Sequence, residues 1–138
     1  MEDTRVFTSL EQLPELLDLA EETCRQAGLP GSLAFRAQVV LEEIFVNIFK
    51  HAYQGRGGLV RVTLRTEKES LGLRVEDQGP AFDPLARETP DLQTRFTQGI
   101  PGGAGLVLLR SMAQDLRYSR REECNILEMR ICSVEAEA

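Results

Sequence analysis

Along the first part of the chain, apolar residues recur at helical spacing. From Leu10 to Ala27, Leu13, Leu16, Leu17 and Ala20 share one face, and Gly28 with Pro30 ends the run. Ser9 precedes it as an N-cap, with Gln12 at capping-box spacing. Ser32 is placed to cap a second helix running to about Tyr53, and Arg5-Val6-Phe7 predicts a short edge strand. After the turn at Gln54 to Gly58 the period changes to two. Val60, Val62 and Leu64 alternate with Arg61, Thr63 and Arg65, and Leu71, Leu73 and Val75 alternate with Gly72, Arg74 and Glu76. This predicts two half-buried strands joined as a hairpin through Glu67 to Ser70. "DQGPAFDP" then breaks the pattern, and the stretch from Pro84 to Gly103 is polar with little periodicity, as in a functional or disordered loop. A helix over about Ala104 to Gln114 and strands at Leu116 to Arg120 and Ile126 to Ile131 complete the reading. The order predicts a single domain over 1–138: an α/β (α+β) two-layer sandwich, helices on one face of a mainly antiparallel mixed sheet.

Composition narrows the function classes. At 138 residues the chain can bury a core without metal or disulfide staples. A formal net charge of -6 gives no global basic field for nucleic acid or an anionic membrane. Arg117, Arg120 and Arg121 form a small basic patch that reads as a solvated strand end. Cys24, Cys124 and Cys132 form no C-x-x-C pair, which argues against a zinc site or disulfide framework and fits a reducing compartment. The first ten residues have neither the positive region nor the apolar run of a secretory signal. No stretch approaches the roughly 20 apolar residues of a membrane span. The expectation is a soluble, cytoplasmic protein.

The second helix carries a polar stripe on an otherwise apolar cylinder. Leu41, Ile44, Phe45, Ile48, Phe49 and Ala52 project onto one broad arc, with Val39 and Val46 extending it. Glu43 and Asn47 stand at i, i+4, and at 100° per residue Lys50 and His51 follow one turn later on the same face. The stripe is either a narrow solvent-facing strip or the floor of a polar pocket. In a pocket, Glu43 suits a general base, Asn47 an oxygen ligand for magnesium, and Lys50 a partner for phosphate. His51 is an alternative base or a helix-end residue.

Two glycine-containing loops follow. In "VEDQGPAFDP", Asp77 and Gly79 make either a plain turn or a carboxylate acceptor for an exocyclic amine, with a base lying close on the glycine. In "GGAGLVLL", Gly102, Gly103, Ala104, Gly105 and Leu106 lead into a helix N-terminus, where amides and the helix dipole favour an anion. A P-loop is missing, and the dinucleotide fingerprint fails at Leu108.

In order, "EEIFVNIFKHAY", "EDQGPAFDP" and "GGAGLVLLRSM" resemble the N, G1 and G2 boxes of the Bergerat-type ATP-binding fold of gyrase, histidine kinases and mismatch-repair ATPases. The pattern N-x-x-K-H-A-Y and the late Tyr118, Arg120, Arg121, Asn125 and Leu127 are most similar to the anti-sigma-factor serine/threonine kinases. The resemblance implies Glu43 as general base, Asn47 as magnesium ligand and Lys50 as a phosphate-facing residue. It implies Asp77 as reader of the adenine amine, with Gly79 beside it. Gly102, Gly103, Ala104, Gly105 and Leu106 would wrap the phosphates, and residues 84–102 would be the ATP lid. It further implies ATP and Mg2+ as ligands, and γ-phosphate transfer to a serine or threonine of an antagonist protein. A sigma factor would be the sequestered partner, with no direct nucleic-acid or membrane contact. That branch commonly forms homodimers. Pro80 and Ala81 depart from the usual G1 glycine, and Pro101 is extra before the G2 glycines. The alternative activity is a nucleotide-gated binding module with little or no kinase activity; a domain cut from a sensor histidine kinase ranks last.

Overall fold

The computed structural model describes residues 1–81 and 109–132. Strand β1 (Glu2–Phe7) leads through a 3-10 turn (Leu10–Gln12) into helix α1 (Leu13–Gln26). Helix α2 (Gly31–Asn47) continues without a break into a π turn (Ile48–Ala52). Two hairpins follow: β2 (Val60–Glu67) with β3 (Ser70–Asp77), and β4 (Gln114–Arg121) with β5 (Cys124–Cys132). The five strands lie in the order β1-β2-β3-β5-β4. All four pairings are antiparallel, so the described sheet contains none of the parallel pairing that a mixed sheet would have.

Local chemistry sets most of these boundaries. The Ser9 hydroxyl accepts from the Glu11 amide at 3.1 Å, and Gln12 Oε1 accepts from the Ser9 amide at 3.1 Å. The capping box is therefore present, but it caps the 3-10 turn that precedes α1. Ser32 does not cap α2: Pro30 occupies the N-cap position in extended backbone, and the helix begins at Gly31. The β2–β3 hairpin closes at Glu67 opposite Ser70, as the alternation predicts. The third helix is shorter at its C-terminal end than expected. Residues 109–112 are helical, and Gln114 already pairs with Arg130 in the sheet. Its N-terminal part, with the polar stretch from Pro84 to Gly103, lies outside the described residues.

One sheet face carries the core. Val60, Val62, Leu64, Leu71, Leu73, Val75, Met129 and Ile131 are buried there, together with Leu16, Ala20, Leu33, Ala37, Val40, Leu41 and Phe45 of the helices. Each fully buried large side chain contributes about 1.5–3 kcal/mol relative to exposure. Cys24 belongs to this core, and burial pushes its thiol pKa up, away from reactivity. A chain of edge-to-face and tilted aromatic contacts crosses the layers from Phe7 to Phe45 (5.5 Å), Phe49 (4.9 Å) and Tyr53 (5.7 Å). The opposite sheet face carries exposed charges, with ion pairs such as Arg74–Glu76 at 3.3 Å. Such pairs are worth at most about 1 kcal/mol each.

Cross-strand register decides where chemistry is placed. Phe7, Val60, Asp77, Asn125 and Arg120 form one row across the five strands. The row begins apolar, in contact with α2, and ends polar. Asp77 and Asn125 are each only 7% exposed, so this end of the sheet brings buried polar groups together.

Candidate functional site

The turn after β3 is held from two sides. Asp77 Oδ1 accepts from the Gly79 amide at 2.8 Å, closing an Asx turn, and from Asn125 Nδ2 at 3.0 Å. Asn125 Nδ2 also donates to the Pro80 carbonyl at 2.9 Å. Asn125 Oδ1 accepts from the Tyr118 hydroxyl and from Arg120 Nη1, so its amide faces acceptors on one side and donors on the other. Arg120 Nη1 donates to the Gly79 carbonyl at 2.9 Å. From the helix side, the Tyr53 hydroxyl accepts from the Gln78 amide at 2.7 Å and donates to the Leu59 carbonyl at 2.6 Å. Both N–H groups of the turn and two of its carbonyls are thus satisfied by side chains. Asp77 Oδ2 makes no hydrogen bond to a described residue. A buried carboxylate oxygen without a partner is costly, and it suits a ligand N–H donor.

Gly79 is required by space. A Cβ there would lie 2.8 Å from the Ala52 Cβ and 3.1 Å from Asp77 Oδ1. The turn packs directly on the π segment that follows α2. That segment begins at Ile48, and its widened geometry is marked by the Tyr53 amide bonding the Ile48 carbonyl at 2.8 Å. Gly58 is similarly constrained, since a Cβ would fall 2.5 Å from the Tyr53 ring.

The structure keeps Glu43 and Asn47 within regular α-helix, one turn apart and both half-buried. Lys50 and His51 lie in the π turn and are exposed. There each residue advances by less than 100°, so these two do not continue the stripe at the angle an α-helix would give. None of the four side chains makes a hydrogen bond or ion pair to another described residue. Gly102, Gly103, Ala104, Gly105 and Leu106, like the segment 84–102, lie outside the described residues. Among the described residues no group of three His, Cys, Asp or Glu could hold a metal ion by itself. No described helix is long and apolar enough to cross a membrane.

Three site residues are not evident as such from sequence. Arg120 reads as part of a solvated patch but grips the turn. Asn125 and Tyr53 stand in the patterns that carry the resemblance, but nothing local shows their contacts, because their partners lie 48 and 25 residues away. Strand register is the clue to Asn125: pairing β3 with β5 places it opposite Asp77.

Chemically, the arrangement offers a buried acceptor above a flat glycine, a carboxylate and an amide one helical turn apart that have no partner among the described residues, and a lysine nearby in sequence. Comparison with known proteins agrees with it. The chain is 33% identical over 98 residues to the serine/threonine-protein kinase BtrW of Bordetella bronchiseptica, covering 70% of this chain and 69% of that protein. The catalytic domain of histidine kinase ThkA superposes with a TM-score of 0.53 at 20% identity, over 95% of this chain and 96% of that one. The Acinetobacter baumannii histidine kinase AdeS gives 0.50 at 15% identity, over 95% and 68%. At such identities these two structures speak for the fold alone. A family model described as a histidine kinase-like ATPase domain matches residues 7–131, which span β1 to β5 and both the α2 stripe and the Asp77 turn. On that match, and with the BtrW relative beside it, the chain belongs to the histidine kinase-like ATPase domain family.

Proposed function

We propose that the protein binds ATP with magnesium and transfers the γ-phosphate to a serine or threonine hydroxyl of a partner protein, acting as an anti-sigma regulatory kinase. The observation that carries this reading is the Asp77 carboxylate: buried, locked through Oδ1, and at Oδ2 without a partner among the described residues, beside a glycine that admits no side chain. That acceptor fits the exocyclic amine of adenine. The likeness to a protein named as a serine/threonine kinase supports a hydroxyl as the phosphate acceptor.

In this reading Glu43 takes the proton from the acceptor hydroxyl as its oxygen attacks the γ-phosphorus, and ADP leaves. Asn47 would hold magnesium through its amide oxygen, a ligand type that suits this hard cation. Held there, the ion would supply positive charge to offset that of the transferring phosphoryl group. Lys50 would offer its charge to the phosphates, and the resemblance assigns residues 102–106, which lie outside the described residues, to the same end of the nucleotide. Phosphorylation of an antagonist adds about -1.5 to -2 charges to its surface, enough to break a packed interface and free the kinase to hold a sigma factor.

Calorimetry with ATP and magnesium tests the binding step. Wild type binds, and Asp77→Asn loses roughly 100-fold or more in affinity because the amide presents a donor toward a donor. Well-folded wild-type protein that takes up no heat at millimolar ATP would sink the reading. Incubation with labelled ATP and antagonist proteins encoded nearby tests the transfer step. Label on a partner serine or threonine that depends on Glu43 supports the kinase; tight partner binding without label points to a nucleotide-gated module.

A further inference from the structure

Tyr53 stands where three site-bearing segments meet. Its amide closes the π turn on the Ile48 carbonyl, so its backbone continues the helix that carries Glu43 and Asn47. Its hydroxyl donates to Leu59, just before β2, and accepts from Gln78, just after β3. Its ring lies so close on Gly58 that no side chain fits between them, and it packs against Phe49 at 5.7 Å. Gln78 is exposed, yet its amide is taken by this one hydroxyl rather than by backbone. The Asp77 turn is thus tied to β5 through Asn125, to β4 through Arg120, and separately to the helical end that follows α2 through Tyr53.

We propose that Tyr53 is a positioning residue that fixes the Asp77–Gly79 turn relative to the α2 stripe, and so holds the base-recognition group and the phosphate-end groups at one set spacing. The inference rests on the ATP reading above. Asp77 can present Oδ2 to a base whenever Asn125 holds it. Only a tie across to α2 keeps that base in register with Asn47 and Glu43. With the hydroxyl removed, the turn samples positions displaced from Ala52, and apparent affinity falls in proportion to the competent fraction. Tyr53 touches no reacting atom, so the chemical step in the filled site is little changed.

The test compares wild type with Tyr53→Phe, which keeps the ring on Gly58 and Phe49 and removes only the hydroxyl. Thermal melts first establish a temperature at which both are folded. ATP–magnesium is then titrated by calorimetry, and transfer to a protein acceptor is followed at varied ATP. The expected result is a Kd and KM for ATP raised about 10-fold, with kcat within about twofold. Kd and KM equal to wild type in folded Tyr53→Phe would overturn the proposal, as would equal losses in kcat and kcat/KM. Amide hydrogen exchange supplies a reading that needs neither nucleotide nor variant. The exposed Gln78 amide of the wild type is protected well above a free-chain amide; exchange at the free-chain rate overturns the tie itself. Wild-type protein that binds no ATP but protects Gln78 overturns the ATP reading while leaving the structural tie in place.

Discussion

Around Asp77 the protein supplies nearly every bond itself, whereas for the polar stripe that starts on α2 the described residues supply none. The Gln78 and Gly79 amides and the Gly79 and Pro80 carbonyls are all matched by side chains from Tyr53, Asp77, Asn125 and Arg120. Glu43, Asn47, Lys50 and His51 have no hydrogen bond or ion pair to another described residue. The two clusters therefore play different physical parts. The turn is preorganised, so a base meets an acceptor that needs no rearrangement. The stripe keeps its polar capacity for a ligand, and its residues add little to folding. Substitutions in the turn should register in stability and affinity together, and substitutions on the stripe in chemistry alone.

The largest expected effect breaks the comparison most directly. Glu43→Gln should slow phosphoryl transfer by about 10²–10⁴-fold, the range of a lost general base, with melting temperature and ATP affinity near wild type. A matching loss of stability would show that Glu43 is a structural group after all. Asn125→Ala should act in the opposite way. It removes a hydrogen bond to a carboxylate and strands the Pro80 carbonyl, at a cost of about 2–4 kcal/mol. A chain of this size should then melt on the order of 10 °C lower, and differential scanning calorimetry reads this directly.

Packing beneath the turn gives a sharper and smaller test. Gly79→Ala drives a Cβ to 2.8 Å from that of Ala52, and overpacking of this kind costs about 1–3 kcal/mol. Ala52→Gly in the same chain should restore part of the loss, since it removes the opposing methyl. The recovery is incomplete because Asp77 Oδ1 is still only 3.1 Å away. A double-mutant cycle by chemical denaturation measures the coupling, and strict additivity would mean that the turn does not rest on the π segment.

The smallest effect is a pH dependence. Burial, opposed by the Gln78 amide and reinforced by the Asp77 charge, holds the Tyr53 phenol above its ordinary pKa near 10. Below that value the phenol is protonated in both folded and unfolded states, and its full contribution is present. As pH rises past 10 the unfolded phenol ionises first, so stability falls toward the folded pKa. Buried Cys24 acts in the same direction from a lower pH. Melting temperatures between pH 9 and 11 should therefore fall more steeply for wild type than for Tyr53→Phe, with the Cys24 part common to both.

Much of this was legible in the chain because it rests on local chemistry. Two-residue alternation located β2, β3 and their hairpin, and the Ser9–Gln12 pair marked the start of the first helical stretch. The spacing of Glu43 and Asn47 survives because both lie inside regular α-helix. Lys50, by contrast, lies past the point where the regular α-helix ends. A 100° projection assumes one helix type, and the change to a π turn at Ile48 leaves no mark in apolar spacing. Arg120 looked like a solvated charge because sequence neighbours alone cannot reveal a carbonyl 41 residues away. Asn125 and Tyr53 were hidden similarly, by partners that only strand pairing and the end of α2 bring close.

The π turn has a consequence for chain length. A helix that closes one ring over five residues instead of four holds one residue more than its α-helical neighbour would. Removing a single residue between Ile48 and Ala52 would restore the commoner helix and leave every strand untouched. Because the turn itself holds the extra residue, the chain beyond it, Tyr53 included, would stay nearly in phase. At this point a one-residue deletion, which in a regular helix turns everything downstream by about 100°, would be taken up by the helix itself.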